Sequence, residues 1–133
     1  MDISYAITPF LAWLAAGALK FVINSVKVRR LAFGLIGYGG LPSNHSTIVS
    51  SMAALIAFRE GISHPAFGVA VTLAFIVMLD AHSLRRQVGK HAVVINRLAE
   101  GRPELRERMG HTRLEIAAGI ALGITVAAVV AMA

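Results

Sequence analysis

Leu114-Glu-Ile-Ala-Ala-Gly-Ile-Ala-Leu-Gly-Ile-Thr-Val-Ala-Ala-Val-Val-Ala-Met-Ala133 carries one ionisable group, Glu115, and otherwise only apolar or small residues. A hydrocarbon core about 30 Å thick takes roughly 20 helical residues, so this stretch reads as a membrane span. Working outward, three more apolar stretches have the same character: about Tyr5 to Val26, Ser43 to Phe58 and Pro65 to Leu79. The second and third are short, which puts their polar ends in the headgroup zone or inside a bundle. Leu31 to Leu41 is apolar too, but holds Gly34, Gly37, Gly39 and Gly40. Such a run reads as a re-entrant or interfacial segment, tolerated where protein or water covers it. The expected fold is therefore all-α: a polytopic transmembrane bundle of about four spans, plus the glycine-rich segment and a basic cytoplasmic helical loop.

Composition agrees. Hydrophobic residues make up 56% of the 133, above the roughly 45–50% of soluble domains. Mean hydropathy is +0.69. The length suits one integral-membrane domain, residues 1–133. Net charge is +6, but the bases do not line a soluble face and few aromatics accompany them, which argues against nucleic acid. There is no cysteine, hence no disulfide framework and no thiolate metal site. The first apolar stretch lacks a basic start and a clear cleavage site, so it reads as a retained span.

The bases are distributed unevenly. Lys27, Arg29 and Arg30 follow the first span; Arg85, Arg86, Lys90, Arg97, Arg102, Arg106, Arg108 and Arg113 follow the third; only Arg59 lies on the other side. Eleven against one is a positive-inside signal that makes both basic loops cytoplasmic, as in a bacterial inner-membrane protein. Within the second loop, His91 to Leu98 is amphipathic, Gly101-Arg102-Pro103 is a breaker, and Glu104 to Met109 reads as a short polar turn or helix. Alternatively, Ala81 to Ala99 continues the third helix.

This topology gathers four motifs on one membrane face. In Gly40-Leu-Pro-Ser-Asn-His-Ser46, Ser43 is a good N-cap, and His45 has the pKa range for proton transfer near neutrality. In Gly110-His-Thr-Arg-Leu-Glu115, Thr112 and Glu115 have capping-box spacing, while His111 and Glu115 stand four apart and can meet on one helical face. A carboxylate on one ring nitrogen fixes the tautomer and frees the other nitrogen to attack. Asp80-Ala-His-Ser-Leu-Arg-Arg86 reads either as a charged helix end at the headgroups or as a carboxylate beside a guanidinium clamp for phosphate. His64, His82 and His91 read as surface or interfacial residues. Gly119 and Gly123 form a GxxxG pair, compatible with packing inside one chain or with a homodimer.

Together these motifs resemble the type 2 phosphatidic acid phosphatase and vanadium haloperoxidase superfamily, and most closely its small divergent membrane branch. The chain reads GGLPSNHS, DAHSLRR and GHTRLEIAAG where that branch shows GGMPSSHS, DAxGVRR and GHTPxEVxxG. The resemblance covers about Lys20 to Gly123. It implies a metal-independent lipid phosphatase without a cofactor, in which His111 takes the phosphoryl group, Glu115 orients it and His45 protonates the leaving alkoxide. Arg85 or Arg86, Lys20, and Arg29 or Arg30 would hold phosphate oxygens, with Ser43 and Asn44 adding hydrogen bonds. The chain departs from the parent pattern in its first motif, where no proline follows Arg29, and in having Glu115 for an aspartate. The parent also sets its arginine close before the histidine nucleophile, whereas Arg86 and His111 are 25 residues apart. The implied partners are a lipid phosphate substrate and the bilayer. The competing readings are a non-catalytic binder of anionic headgroups and a phosphate or anion transporter.

Overall fold

The computed structural model describes residues 3–33, 40–98 and 104–133. Its elements are α1 (Ser4–Val28), α2 (Asn44–Glu60), α3 (Pro65–Leu79), a π turn (Asp80–Leu84), α4 (Arg85–Leu98) and α5 (Arg113–Met132), with no strand among the described residues. The glycine-rich positions 34–39 and the breaker at 101–103 lie outside the described residues.

Among the described residues, three helices are long and apolar enough to cross a membrane: α1, α5 and the continuous 34-residue rod from Pro65 to Leu98. At 1.5 Å per residue the rod is about 51 Å long, well beyond the hydrocarbon core, so α4 extends into the aqueous phase. The continuation of the third helix is thus what forms, and there is no break after Leu79. The stretch 104–109 is neither turn nor helix but irregular. It is held against α4 by Asn96, whose amide donates to the Leu105 carbonyl at 2.8 Å and accepts the Leu105 N–H at 2.8 Å.

α2, the fourth apolar segment, has 17 residues and runs through the middle, packed on α1, α3 and α5. Its buried face is Ser46, Thr47, Ser50, Ser51, Leu55 and Ile56, mostly small and hydroxylated. The opposing face of α5 is Gly119, Gly123 and Ala127. A Cβ at Gly119 would lie 2.6 Å from the Ser43 carbonyl oxygen, and one at Gly123 2.6 Å from that of Thr47. The GxxxG pair therefore serves contact between two helices of one chain, as small residues do where lipid supplies no hydrophobic drive. Hydroxyls within this seam bond backward along α2: Thr47 to the Ser43 carbonyl at 2.8 Å and Ser51 to the Ile48 carbonyl at 2.8 Å.

Burial is inverted relative to a water-soluble bundle. Apart from Leu55 and Ile56, the interior is mostly small, with Ala12, Ala16, Ala70, Ala74, Ala127 and the α2 hydroxyls, whereas Phe10, Val69, Phe75, Ile76 and Val129 point outward. Large apolar side chains face lipid, and small ones let the backbones approach. At the end of the bundle away from the histidine motifs, Arg59 joins three helices. It donates to the Val130 carbonyl at 3.0 Å and to the Ser4 hydroxyl, and its guanidinium lies 5.7 Å over the Tyr5 ring. It thereby adds a charged donor to a carbonyl of the last turn of α5, which also accepts the Ala133 N–H at 3.4 Å.

The seam makes a stability prediction. Gly123→Ala forces α2 and α5 apart and should cost about 1–3 kcal/mol, read as a lower midpoint of thermal unfolding in detergent. Gly17→Ala, whose Cβ would meet nothing within 4 Å among the described residues, should raise the midpoint slightly, because alanine is the better helix former. Equal midpoints for the two variants would show that the seam is loose.

Candidate active site

The N-terminus of α2, the N-terminus of α5 and the π turn meet at one end of the bundle. Ser43 caps α2, its hydroxyl accepting the Ser46 N–H at 3.3 Å, and its own N–H donates to the Glu115 carbonyl at 2.9 Å. These bonds lock the starts of α2 and α5 together and set His45 beside His111, ring centroids 6.3 Å apart and ring planes tilted by 55°.

The turn before α5 is shaped by the π turn. The His111 N–H donates to the Ala81 carbonyl at 2.9 Å, and His82 Nδ1 lies 3.1 Å from the His111 carbonyl oxygen. The π turn thus holds the His111 peptide on both sides, in keeping with the habit of such turns to sit at functional sites. Gly110 makes the approach feasible. Its φ is +83°, and a Cβ there would lie 2.8 Å from Arg86 Cγ and 3.1 Å from the Ala81 carbonyl oxygen.

Glu115 resolves the two readings of its motif by doing both. Its Oε2 accepts the Thr112 N–H at 2.9 Å while the Thr112 hydroxyl accepts the Glu115 N–H at 3.2 Å, a complete capping box. The same Oε2 lies 3.2 Å from His111 Nδ1. With the carboxylate as acceptor, Nδ1 carries the proton and Nε2 keeps its lone pair. His111 is 7% exposed. Burial, chiefly, and then the Lys20 and Arg85 charges pull its pKa below the usual histidine value, against the opposing pull of Glu115. It is therefore a neutral imidazole near pH 7.

A cavity of about 570 Å³ opens in front of the two histidines. Lys20, Asn44, Arg85 and Arg106 also line it. Arg85 is steered by Asp80, whose Oδ2 accepts from Nε at 3.1 Å, and its Nη2 lies 3.1 Å from His45 Nε2. Asn44 Oδ1 and His45 Nδ1 are buried without a hydrogen-bond partner among the described residues.

Several sequence expectations are relocated. Arg86 does not share the cavity of Arg85, because neighbours in a helix point about 100° apart. It packs on Gly110 and faces a second cavity of about 410 Å³ together with Arg108 and Arg113. The Ser43 hydroxyl is spent in the cap and is fully buried. Arg29 and Arg30 are exposed at the end of α1, Arg29 as its left-handed cap with φ 52°, and neither lines the cavity. His82 is half-buried and braces the His111 peptide, and His64 caps α3 by accepting the Ala66 N–H at 3.2 Å. Arg106 has no place among the sequence motifs, although it lines the cavity and precedes His111 by five residues. No group of three or more metal-ligating side chains occurs among the described residues.

The comparisons with known proteins point the same way. A family model described as "Divergent PAP2 family" matches residues 2–126. The chain is 31% identical over 147 residues to a protein of Bacillus subtilis (strain 168) named as the uncharacterized membrane protein YuiD, covering 92% of this chain and 93% of that one. No solved structure matches. A membrane bundle that brings its PSNH and GH-T-R-L-E motifs to one cavity, matched by that model along nearly its whole length, belongs to the divergent PAP2 family.

Proposed function

We propose that this integral membrane protein hydrolyses the phosphate ester or diphosphate of a lipid through a phosphohistidine, at a site on the cytoplasmic face of a bacterial inner membrane. The observation that carries this reading is the convergence of His45, His111, Lys20 and Arg85 on one cavity, with Glu115 behind His111.

His111 Nε2 attacks phosphorus, and the bond from phosphorus to the ester oxygen breaks. Lys20, Arg85 and Arg106 neutralise the non-bridging oxygens, the main requirement of phosphoryl transfer. Glu115 stabilises the positive charge that develops on the imidazole. The leaving alkoxide takes a proton from His45. In the ligand-free arrangement the Arg85 guanidinium donates to His45 Nε2, so that nitrogen holds no proton. A phosphate that draws Arg85 onto its own oxygens frees Nε2, and its negative charge favours protonation there. Substrate thereby arms its own general acid. Water then adds to phosphorus, His45 takes back a proton, the P–N bond breaks and His111 is restored. The arrangement calls on no metal or cofactor for these steps.

The test is phosphate release by purified protein from a panel of phosphatidic acid, phosphatidylglycerol phosphate and polyprenyl phosphates, repeated in vesicles of known orientation. Release is expected only where the basic loops face the added substrate. Saturable binding across the whole panel without release would make the protein a binder of anionic headgroups.

A further inference from the structure

The cavity in front of the histidines has a second half that the chemistry above does not use. Its wall along α1 is Trp13, Leu14, Gly17, Ala18 and Phe21, closed by Ala32 from the segment after the helix. Positions 13, 17 and 21 are one helical turn apart and form a stripe that leads from Lys20 toward the middle of α1. From Lys20 to Trp13 the stripe covers about 10 Å. The opposite face of α1, with Ala12 and Ala16, is buried in the bundle.

Gly17 is the informative residue. Gly119 and Gly123 are glycines because another helix leaves no room for a Cβ. Gly17 has no such neighbour among the described residues: a Cβ there would meet nothing within 4 Å, and its φ is not positive. A glycine inside a helix costs about 1 kcal/mol relative to alanine, and here packing among the described residues does not require it. What it does is leave space in the cavity wall.

We propose that this wall is a slot for the hydrocarbon chain attached to the phosphate, and that Gly17 is the gap through which the chain passes. The proposal rests on the hydrolase reading and names the part of the substrate that the reading leaves undefined. Its occupant follows from charge complementarity: one cavity presents three cations, Lys20, Arg85 and Arg106, beside the two histidines at one end and apolar side chains at the other. An anionic phosphate with a flexible chain matches both ends at once. The slot selects substrates by the chain next to the ester, while the remaining tail stays in lipid.

Trp13 is the only tryptophan of the chain and stands at the far end of the slot, so it reports occupancy directly. The full-length protein in detergent is titrated with an alkyl phosphate brominated in its chain, and separately with the matching brominated alcohol. The phosphate should quench Trp13 saturably at concentrations about tenfold lower than the alcohol. Gly17→Phe should erase that difference, and it should flatten the rise of kcat/KM with chain length expected of the unsubstituted protein. Ala18→Phe, on the same wall, gives the same readings if Gly17→Phe does not fold. Equal quenching by phosphate and alcohol would mean that ordinary lipid fills the groove, and it would overturn the slot. So would quenching unaltered by both variants. Phosphate-selective quenching without phosphate release would refute hydrolysis and keep the slot. Release whose chain-length dependence survives Gly17→Phe would keep hydrolysis and refute the slot.

Discussion

His111→Ala should remove phosphate release and phosphoenzyme together, because both depend on the one Nε2 lone pair that faces the cavity. Radiolabelled substrate, rapid quench and detection of an acid-labile, base-stable protein phosphate would follow the second readout. The loss should reach the background of the assay, and imidazole added in solution should restore release without restoring the phosphoenzyme. The unsubstituted protein should also show an acidic limb in kcat/KM. Burial and the Lys20 and Arg85 charges lower the His111 pKa, so the nucleophile stays neutral until the pH falls below the ordinary histidine value of about 6.5. The rate should therefore hold from pH 7 down to that value and decline only beneath it. A limb centred above pH 7, or a His111→Ala protein that still turns over, would assign the nucleophile elsewhere.

Glu115→Gln should separate the two duties that one carboxylate oxygen performs. Glutamine can still accept the Thr112 N–H, so the capping box and the thermal midpoint should change little. The negative charge behind His111 is lost, and the amide can donate to Nδ1 and favour the wrong tautomer. In the serine-protease triad, where an aspartate stands behind a histidine in the same way, the corresponding amide change costs about 10⁴-fold. A drop of roughly 10²–10⁴ in kcat is expected here, with fold and lipid binding retained. Unchanged kcat at matched thermal stability would reduce Glu115 to a helix cap.

The membrane character of the fold was legible because it depends on composition over long windows, and α1, α3 and α5 begin or end within a few residues of where apolarity does. The short α2 was legible from the same signal, although its central place was not: its polar residues suited the headgroup zone as well as a bundle interior until the facing glycines of α5 were known. The pair His111 and Glu115 was visible because helical spacing is local. The choice between cap and catalytic partner was not, since sequence treats as alternatives two bonds that one oxygen makes together. Arg85 and Arg86 were indistinguishable by type and spacing. Only the direction of the rod after Leu79 separates them, and Asp80 then fixes which one reaches His45. Arg106 was not legible, because nothing in its own neighbourhood shows that Asn96, ten residues earlier, ties its loop over the cavity.

The π turn between α3 and α4 is also a phase shifter. A helix that accommodates one extra residue advances its facing by about 100°, so the code that tells α3 which side meets lipid does not carry over to α4. The same polypeptide rod is written in two frames, one set by the bilayer and one by the cavity, joined at Asp80–Leu84. The lipid-facing side of the span can drift to suit another membrane without moving Arg85, and the guanidinium can be kept on target while the span is rewritten.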